Sequence, residues 1–469
     1  MADEVLYDYD MVTIGSGPGG GAAARQVARR GGRACIVEAG TLGGVCMNVG
    51  CIPTKAMLAA SDLAWRMRSA ETMGIEPVVP KIDGQAFMGR VSTVVAELAK
   101  RSAAAIDMSK QIDLVRGRGR LVDAHTVAVD TSEGEKQITA RAVVIATGAS
   151  PARPGFLPWN SPRLMTTDQA VTASDLPASV IVMGGGVIGC EMATVYSELG
   201  IETTVIEMLD SLLGGLDADA GKAVTASLTE RGVEVLTGQK VTAMGDDGDS
   251  IVVTLDDGRE LRAAQALIAV GRKPNIDGLG LAEVGVAVAD GIIPVDDRCR
   301  TNVDGIYAIG DVAETRQYAH LADRMGVVAG ENIMGADLTD DRTVVPVGAY
   351  THPEIASVGI TLAQAKEAYG KARLFRFSYA NAGMALACGQ TQGQVKIIAC
   401  PDSGRIYGAL WIGPHAVDMV QEFAIAMRHG LTMEQLYHTI HAHPTFQEAA
   451  MWAAEGWVSQ SLRKRRQKP

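Results

Sequence analysis

The sequence predicts an α/β protein of three parts, and three observations support this. The chain has 469 residues, which is too long for one hydrophobic core. A strand, a glycine-rich turn, a helix and a second strand follow one another twice, near residues 11 and 180. From about residue 351 the pattern changes to short apolar strands followed by helices. This order predicts two doubly wound α/β halves and a C-terminal α+β domain.

The two repeated units share the spacing of their glycines and of one acidic residue. In the first unit the apolar run 11–14 is followed by Gly15, Gly17 and Gly20, an Ala-rich helix, and a strand that ends in Glu38. In the second unit the run 180–183 precedes the corresponding residues, which are Gly184, Gly186, Gly189 and Glu207. The acid stands 23 residues after the first glycine in both units.

This spacing is typical of a turn that holds the pyrophosphate of a dinucleotide. The first glycine makes the tight turn, the second lets the pyrophosphate approach the backbone, and the third lets the helix pack close to the strand. The helix N-terminus offers free N–H groups and a partial positive charge, and the acid accepts hydrogen bonds from a ribose. One such turn is weak evidence, since glycine-rich turns without a ligand also occur. Two such turns, each set between a strand and a helix and followed by an acid at the same distance, indicate two Rossmann-like dinucleotide sites.

The residues after the second strand bear on the choice of nucleotide. Glu207 would repel a 2′-phosphate and suits the free 2′-hydroxyl of NAD, while Met208 and Leu209 offer no arginine for NADP. We therefore expect NAD at the second site. Asp311 ends another apolar strand, in GIYAIGDV, where doubly wound sheets bind ligands, although it would also suit a helix cap.

Composition excludes several classes of protein. The net charge of −11 argues against nucleic-acid binding, and no apolar segment is long enough to span a bilayer. The acidic N-terminus differs from a signal peptide, so we expect a cytoplasmic protein. The basic stretch RKRRQKP at the C-terminus is interpreted as a solvated tail, with a docking arm for an acidic partner as the alternative.

Two of the seven cysteines, Cys46 and Cys51, lie five residues apart in GGVCMNVGCIPTK. The others are scattered, unlike a disulfide framework. A regular helix would hold the two Cα atoms about 8.7 Å apart, whereas a disulfide needs about 4.4–6.8 Å. If they bond, the chain must be irregular there, and Gly50 and Pro53 are suited to causing that. A structural pair, a redox centre, and a metal site with further ligands remain open.

A second cluster of reactive side chains is HTIHAHPTFQE near the C-terminus. It contains His438, His441 and His443, but Pro444 interrupts any helix that would align them on a metal. We interpret His443 with Glu448 as a proton-transfer pair, because a histidine base oriented by a carboxylate activates a thiol. Capping and core histidines are the alternative.

With these motifs in order, the sequence resembles the pyridine nucleotide–disulfide oxidoreductases over essentially its whole length. The motifs that carry the resemblance are GGVCMNVGCIPTK, GGGVIGCE, AVGRKPN, IYAIGDV, THPEIASVG and HAHPTFQE. The resemblance implies an FAD-binding domain over residues 1–150 and 276–345, an NAD-binding domain over 151–275, and an interface domain over 346–469. It also implies a homodimer, in which His443 and Glu448 act on the disulfide of the other subunit, and a His443–Pro444 bond that can be cis.

The resemblance further implies a role for each site residue. Lys55 would lie near the flavin ring and pair with Glu191. The residues implied to bind FAD are Gly15, Gly17, Gly20, Glu38, Lys55, Gly119, Thr147, Gly148 and Asp311. Those implied to bind NAD are Gly184, Gly186, Gly189, Glu207, Val241 and Gly271. No metal is expected.

Within the family, the sequence looks most like the enzymes that oxidise a dihydrolipoyl dithiol. The resemblance then implies that His443 takes a proton from the dithiol of a lipoyl-carrying protein domain, that the thiolate attacks Cys46, and that Cys51 passes electrons to FAD and so to NAD⁺. An NAD(P)H-dependent reductase of another disulfide or a quinone, and a redox-sensing flavoprotein subunit, are the alternatives. Departures from the family pattern occur near His320, Cys388 and His415, and they bear on the identity of the carrier rather than on this chemistry.

Overall fold

The structure, a computed structural model, describes residues 6–466. A seven-stranded sheet lies at the centre of its N-terminal part. The strands are β1 Tyr9–Ile14, β2 Ala34–Glu38, β3 Ile112–Arg116, β4 Arg118–Leu121, β5 Thr126–Thr131, β6 Gly134–Ile145 and, from much later in the chain, β17 Ile306–Ala308. Their order is β3-β2-β1-β6-β5-β4, with β17 parallel to β6 on a separate branch. The apolar runs of β1 and β6 are buried, as in sheets covered on both faces.

Helices cover this first sheet and extend from it. They are α1 Pro18–Arg29, α2 Gly44–Asn48, α3 Cys51–Arg68, α4 Gly84–Asp107, α8 Leu281–Val284 and α9 Ala319–Ile333, with 3₁₀ turns at Ala70–Met73 and Gly310–Val312. Helix α1 packs against α9, so that the segment around β17 and α9 completes the first α/β layer.

The second part repeats the same architecture. Its parallel strands are β8 Leu164–Thr166, β9 Ser179–Met183, β10 Glu202–Glu207, β11 Glu234–Thr237 and β15 Gln265–Ile268, in the order β11-β10-β9-β15-β8. Its helices are α5 Thr167–Ala170, α6 Val187–Leu199 and α7 Ala218–Glu230. An antiparallel sheet adds β12 Val241–Asp246, β13 Ile251–Leu255 and β14 Glu260–Ala263. Strand β7 Ala149–Pro151 pairs with β16 Arg272–Pro274 where the chain enters and leaves this part.

The third part is an antiparallel sheet with helices, as predicted. Its strands are β18 Val347–Ala349, β19 Ile355–Gly359, β20 Arg373–Ser378, β21 Gln394–Ala399 and β22 Ile406–Ile412, in the order β18-β19-β22-β21-β20. The helices are α10 Leu362–Tyr369, α11 Gly383–Ala387, α12 Ala416–Met419, α13 Gln421–Arg428, α14 Met433–His438 and α15 Glu448–Arg466, with a 3₁₀ turn at Tyr379–Asn381.

The predicted fold class is therefore confirmed, while the domain boundaries stay a prediction. The basic stretch expected as a tail is helical up to Arg466, and its last three residues lie outside the described part of the chain. Between residues 6 and 466, no helix is both long enough and apolar enough to cross a membrane.

Candidate active site

A cavity of about 1780 Å³ opens where the loops after β1, β6, β9 and β15 meet. It brings together most of the predicted site residues. Those that line it are Gly15, Gly17, Gly20, Glu38, Cys46, Cys51, Lys55, Gly119, Thr147, Gly148, Gly184, Gly186, Glu191, Glu207, Val241, Gly271 and Asp311. Gly189, His443 and Glu448 do not line it.

The two glycine-rich turns have nearly the same geometry. A Cβ on Gly20 would lie 2.0 Å from the carbonyl oxygen of Gly15, and one on Gly189 would lie 1.9 Å from that of Gly184. The third glycine of each turn therefore lets the helix pack on the strand. By contrast, a Cβ on Gly17 or Gly186 would meet no protein atom within 4 Å. The space is thus open where a pyrophosphate is expected, and both turns fit a dinucleotide.

The two acids hold the turns in shape. Glu38 accepts hydrogen bonds from the amides of Ser16 at 2.9 Å and Gly40 at 2.7 Å. Glu207 does the same with the amides of Gly185 at 2.6 Å and Leu209 at 2.7 Å. Each carboxylate therefore lies at the carboxyl end of its strand and against its turn, where it could also accept from a ribose hydroxyl.

The chain between the two cysteines is irregular, as a Cys46–Cys51 bond would require. Helix α2 ends at Asn48 and α3 begins at Cys51, and the break falls at Gly50, whose φ and ψ are −132° and −107°. Pro53 lies in the first turn of α3, where a missing N–H is tolerated, whereas a helix running through both cysteines would place it in the interior. The N-terminus of α2 also approaches the first turn closely, since a Cβ on Gly44 would lie 2.7 Å from the Cα of Gly17.

The two cysteines are free thiols in hydrogen-bonding contact. Because Cys46 donates a hydrogen bond to Cys51 and is largely buried, its pKa is raised. The hydrogen bond from Cys46, together with the nearby Lys55, lowers the pKa of Cys51 to about 7 although burial opposes this. The pair therefore carries its first negative charge on Cys51, the thiol at the N-terminus of α3.

Lys55 and Glu191 join α3 to α6 beside the cysteines. The Nζ of Lys55 lies 2.8 Å from Oε2 of Glu191, whose side chain is buried. Glu191 also accepts the amide of Tyr350 at 2.9 Å, and the Lys55 ammonium lies 4.4 Å from the centre of the Tyr350 ring. Tyr350 was missed in the sequence, although it directly precedes THPEIASVG.

Other residues in the cavity wall were missed although they stand in quoted motifs. Arg272 binds Asp168 at 2.7 Å, and Asn275 donates to the carbonyl oxygen of Thr147 at 2.9 Å. Both belong to AVGRKPN.

Burial raises the pKa of Asp311, and the positive charge of Arg272 partly offsets this rise. Nearby, burial lowers the pKa of His320, whose Nε2 lies 2.8 Å from the carbonyl oxygen of Pro346.

His443 and Glu448 form the predicted pair away from this cavity. Nδ1 of His443 lies 2.8 Å from Oε1 of Glu448, and the His443–Pro444 bond is cis. Burial opposes ionisation of Glu448, but hydrogen bonds from the Thr445 amide and from His443 hold its pKa below its usual value. The His443 side chain is 77% exposed, so its second nitrogen, Nε2, is presented at the protein surface.

The three histidines of HTIHAHPTFQE do not converge. His438 ends α14, while His441 turns away to Glu422 with its Nε2 2.9 Å from Oε1. Across the described residues, no group of three His, Cys, Asp or Glu side chains is placed to hold a metal ion.

Comparison with known proteins agrees with this geometry. The profile of the pyridine nucleotide-disulphide oxidoreductases matches residues 9–326, and the profile of their dimerisation domain matches residues 345–454. A dihydrolipoyl dehydrogenase of Geobacillus stearothermophilus is 36% identical over 463 residues, covering 97% of each chain.

Two solved structures have the same fold along nearly the whole chain. LpdA from Mycobacterium tuberculosis is similar with a TM-score of 0.88 and 29% identity, over 95% of this chain and 99% of that one. A copper complex of the flavoprotein disulfide reductase RclA from Escherichia coli has a TM-score of 0.87 and 25% identity, over 96% and 99%. With two dinucleotide turns, an adjacent cysteine pair and both profiles matched, the chain belongs to the pyridine nucleotide-disulphide oxidoreductase family.

Proposed function

We propose that this protein is a dihydrolipoyl dehydrogenase, which oxidises the dithiol of a dihydrolipoyl group on a carrier protein with NAD⁺. The observation that carries the proposal is the Cys46–Cys51 pair, which opens on the cavity that both dinucleotide turns also line. Relatives named dihydrolipoyl dehydrogenase, which are 34–37% identical over nearly the whole chain, support this choice of substrate.

The turn at Gly15 with Glu38 fits FAD, and the turn at Gly184 with Glu207 fits NAD. FAD, when bound, would supply the two-electron acceptor that links the dithiol to NAD⁺. Lys55 and Glu191 would hold the wall of the cavity beside the flavin, since they tie α3 to α6 there. Glu207 at the strand end, followed by Met208 and Leu209, favours NAD over NADP.

The cysteines would exchange bonds with the substrate by thiol–disulfide chemistry. A substrate thiolate attacks Cys46 of the oxidised pair, the Cys46–Cys51 bond breaks, and Cys51 leaves as a thiolate. The second substrate thiol then attacks the mixed disulfide, so that Cys46 is released and the substrate becomes a cyclic disulfide. Two electrons thereby pass to the cysteines. The lowered pKa of Cys51 suits its part, because a thiol of low pKa is a good leaving group.

A base must take the substrate proton, and we assign this to His443. Glu448 fixes the ring by binding Nδ1, which leaves Nε2 free to accept a proton. Because His443 is exposed and absent from the cavity wall of its own chain, we propose a homodimer in which His443 of the partner subunit faces Cys46. The match to a dimerisation domain supports this arrangement. A cytoplasmic location remains a prediction from the sequence.

The test is an assay of the purified flavoprotein with dihydrolipoamide and NAD⁺, with NADP⁺ in parallel. We expect NAD⁺-specific turnover that Cys46→Ser abolishes, while reduction of ferricyanide by NADH is kept. Bound flavin that NADH reduces, together with no reaction of dihydrolipoamide, would refute the proposal and favour another disulfide or a quinone as substrate. Dihydrolipoamide turnover that persists in Cys46→Ser would refute the mechanism.

A further inference from the structure

A second carboxylate, Glu422 of α13, lies beneath the loop that carries His443. Its side chain is 23% exposed, and the His441 ring that it contacts is 5% exposed. Neither residue lines the large cavity. His441 lies two residues before His443 in the loop, and its side chain is buried whereas that of His443 is exposed.

His441 is held through both nitrogens of its ring. Nδ1 lies 2.8 Å from the carbonyl oxygen of Thr439, and Nε2 lies 2.9 Å from Oε1 of Glu422. Both ring nitrogens are therefore engaged, one by the loop itself and one by α13, so that His441 ties the loop to this helix. The titratable groups that face this ring are Glu422 from α13, Glu448 from α15, and His443 on its own loop.

The same carboxylate also binds the far side of the loop. Oε2 of Glu422 accepts a hydrogen bond from Nε2 of Gln447, which lies four residues after His443. Glu422 thus binds the chain on both sides of His443 at once. Glu448 bonds within the loop, to His443 at 2.8 Å and to the Thr445 amide at 2.9 Å.

We propose that Glu422 is a positioning residue for the reaction: by binding His441 and Gln447 it fixes the loop that presents Nε2 of His443 to the dithiol. The proposal rests on the function proposed above. Glu448 sets the orientation of the ring within the loop, whereas Glu422 sets the place of the loop on the domain. Proton transfer tolerates little displacement, since about 1 Å of misplacement can cost a factor of about 100 in rate.

The test compares Glu422→Gln with wild type and with Glu434→Gln as holoproteins. Glu434 is the matched control, because it pairs with Arg465 on the surface of the same domain, at 3.6 Å. Glu422→Gln keeps the shape of the side chain but removes its negative charge. Its NH₂ group would also replace one of the two carboxylate oxygens, so that it could no longer accept from both His441 and Gln447. We expect kcat with dihydrolipoamide to fall about tenfold or more, with KM little changed and an altered pH profile of kcat. Reduction of ferricyanide by NADH should stay close to wild type, because it does not use His443.

Two further variants separate positioning from general stability. Glu422→Asp keeps the charge and should recover part of the activity, and His441→Gln should resemble Glu422→Gln. If wild type oxidises dihydrolipoamide but Glu422→Gln matches Glu434→Gln, the positioning role is refuted while the proposed function stands. If both activities fall together with the unfolding temperature in Glu422→Gln and His441→Gln alike, the role is structural only, and the proposal is again refuted. A wild type without dihydrolipoamide turnover refutes the proposed function itself.

Discussion

Cys51 shows how far neighbouring groups change a single side chain. An ordinary cysteine is mostly a neutral thiol at pH 7, whereas the hydrogen bond from Cys46 brings the pKa of Cys51 to about 7. The charged form is present above that pH and takes up a proton below it. Cysteine chemistry that depends on this thiolate should therefore weaken as the pH falls through about 7.

We predict that the reduced protein reacts with iodoacetamide with a pH midpoint near 7, and that Cys46→Ala moves the midpoint of Cys51 upward. The substitution removes the hydrogen-bond donor that stabilises the thiolate, while Lys55 remains. The measurement is the alkylation rate between pH 5 and about 10, a range that spans ordinary thiol pKa values, with the labelled residue located by mass spectrometry. An unchanged midpoint in Cys46→Ala would mean that Lys55, not Cys46, sets the pKa.

At the scale of the element, the strand–turn–helix unit assigns different tasks to its glycines. Gly186 faces open space, whereas Gly189 packs against the backbone of Gly184. Substitution of Gly186 should thus impair nucleotide binding, whereas substitution of Gly189 should impair stability, although both residues lie in one turn.

We predict that Gly186→Ala raises the KM for NAD⁺ about tenfold, a loss of about 1.4 kcal/mol of binding, without changing the unfolding temperature. Gly189→Ala should instead lower stability by about 1–3 kcal/mol, because the added methyl group overpacks the helix against the strand. Thermal unfolding measures the stability of each variant, and steady-state kinetics measures its KM for NAD⁺. The FAD content is the control that the first turn is unaffected. Equal loss of stability in the two variants would contradict this division of tasks.

The elements closest to the glycine motifs were the most predictable. The strands that end in Glu38 and Glu207 were identified from the local pattern, because apolar runs, glycine spacing and the terminal acid all lie within one short segment. The antiparallel strands β12–β14 were not identified. Their alternating side chains give a weaker signal, and nothing in the nearby sequence fixes which strand they pair with.

The site was predictable to the extent that its residues are close in sequence. His443 with Glu448, and the irregular chain between the cysteines, could be inferred from local spacing. The partnership of Glu422 with His441 spans 19 residues and two helices, so no local pattern reveals it. The amide of Tyr350 reaches Glu191 across 159 residues, and only the packing of α6 against β18 brings them together.

At the scale of the whole molecule, the proposed site needs two chains. The cavity of one chain contains the cysteines but lacks the base, and the exposed His443 lies elsewhere on the same chain. Two inactive variants should therefore restore activity when they are combined in one dimer.

We predict that Cys46→Ser and His443→Gln are each nearly inactive with dihydrolipoamide, but that equal co-expression restores about a quarter of wild-type activity. About half of the dimers are then mixed, and a mixed dimer has one of its two sites intact. The measurement is the specific activity of the co-expressed protein. Its control is a mixture of the two separately purified variants under conditions in which subunits do not exchange, so that no mixed dimers form. No restoration on co-expression would show that each chain supplies its own base, and activity of His443→Gln alone near that of wild type would show that His443 is not the base.

The two turns are nearly identical in geometry, so they do not by themselves distinguish one nucleotide from the other. The two turns differ in the segments that pack against them. Helix α2 packs against the first turn at Gly17, and the segment that carries the cysteines lines the cavity beside this turn. The stretch that follows β10 contributes only Met208 and Leu209, which are exposed, to the wall beside the second turn. Residence time is thus set by what lies over each turn. We therefore expect the nucleotide at the first turn to dissociate much more slowly than the nucleotide at the second turn.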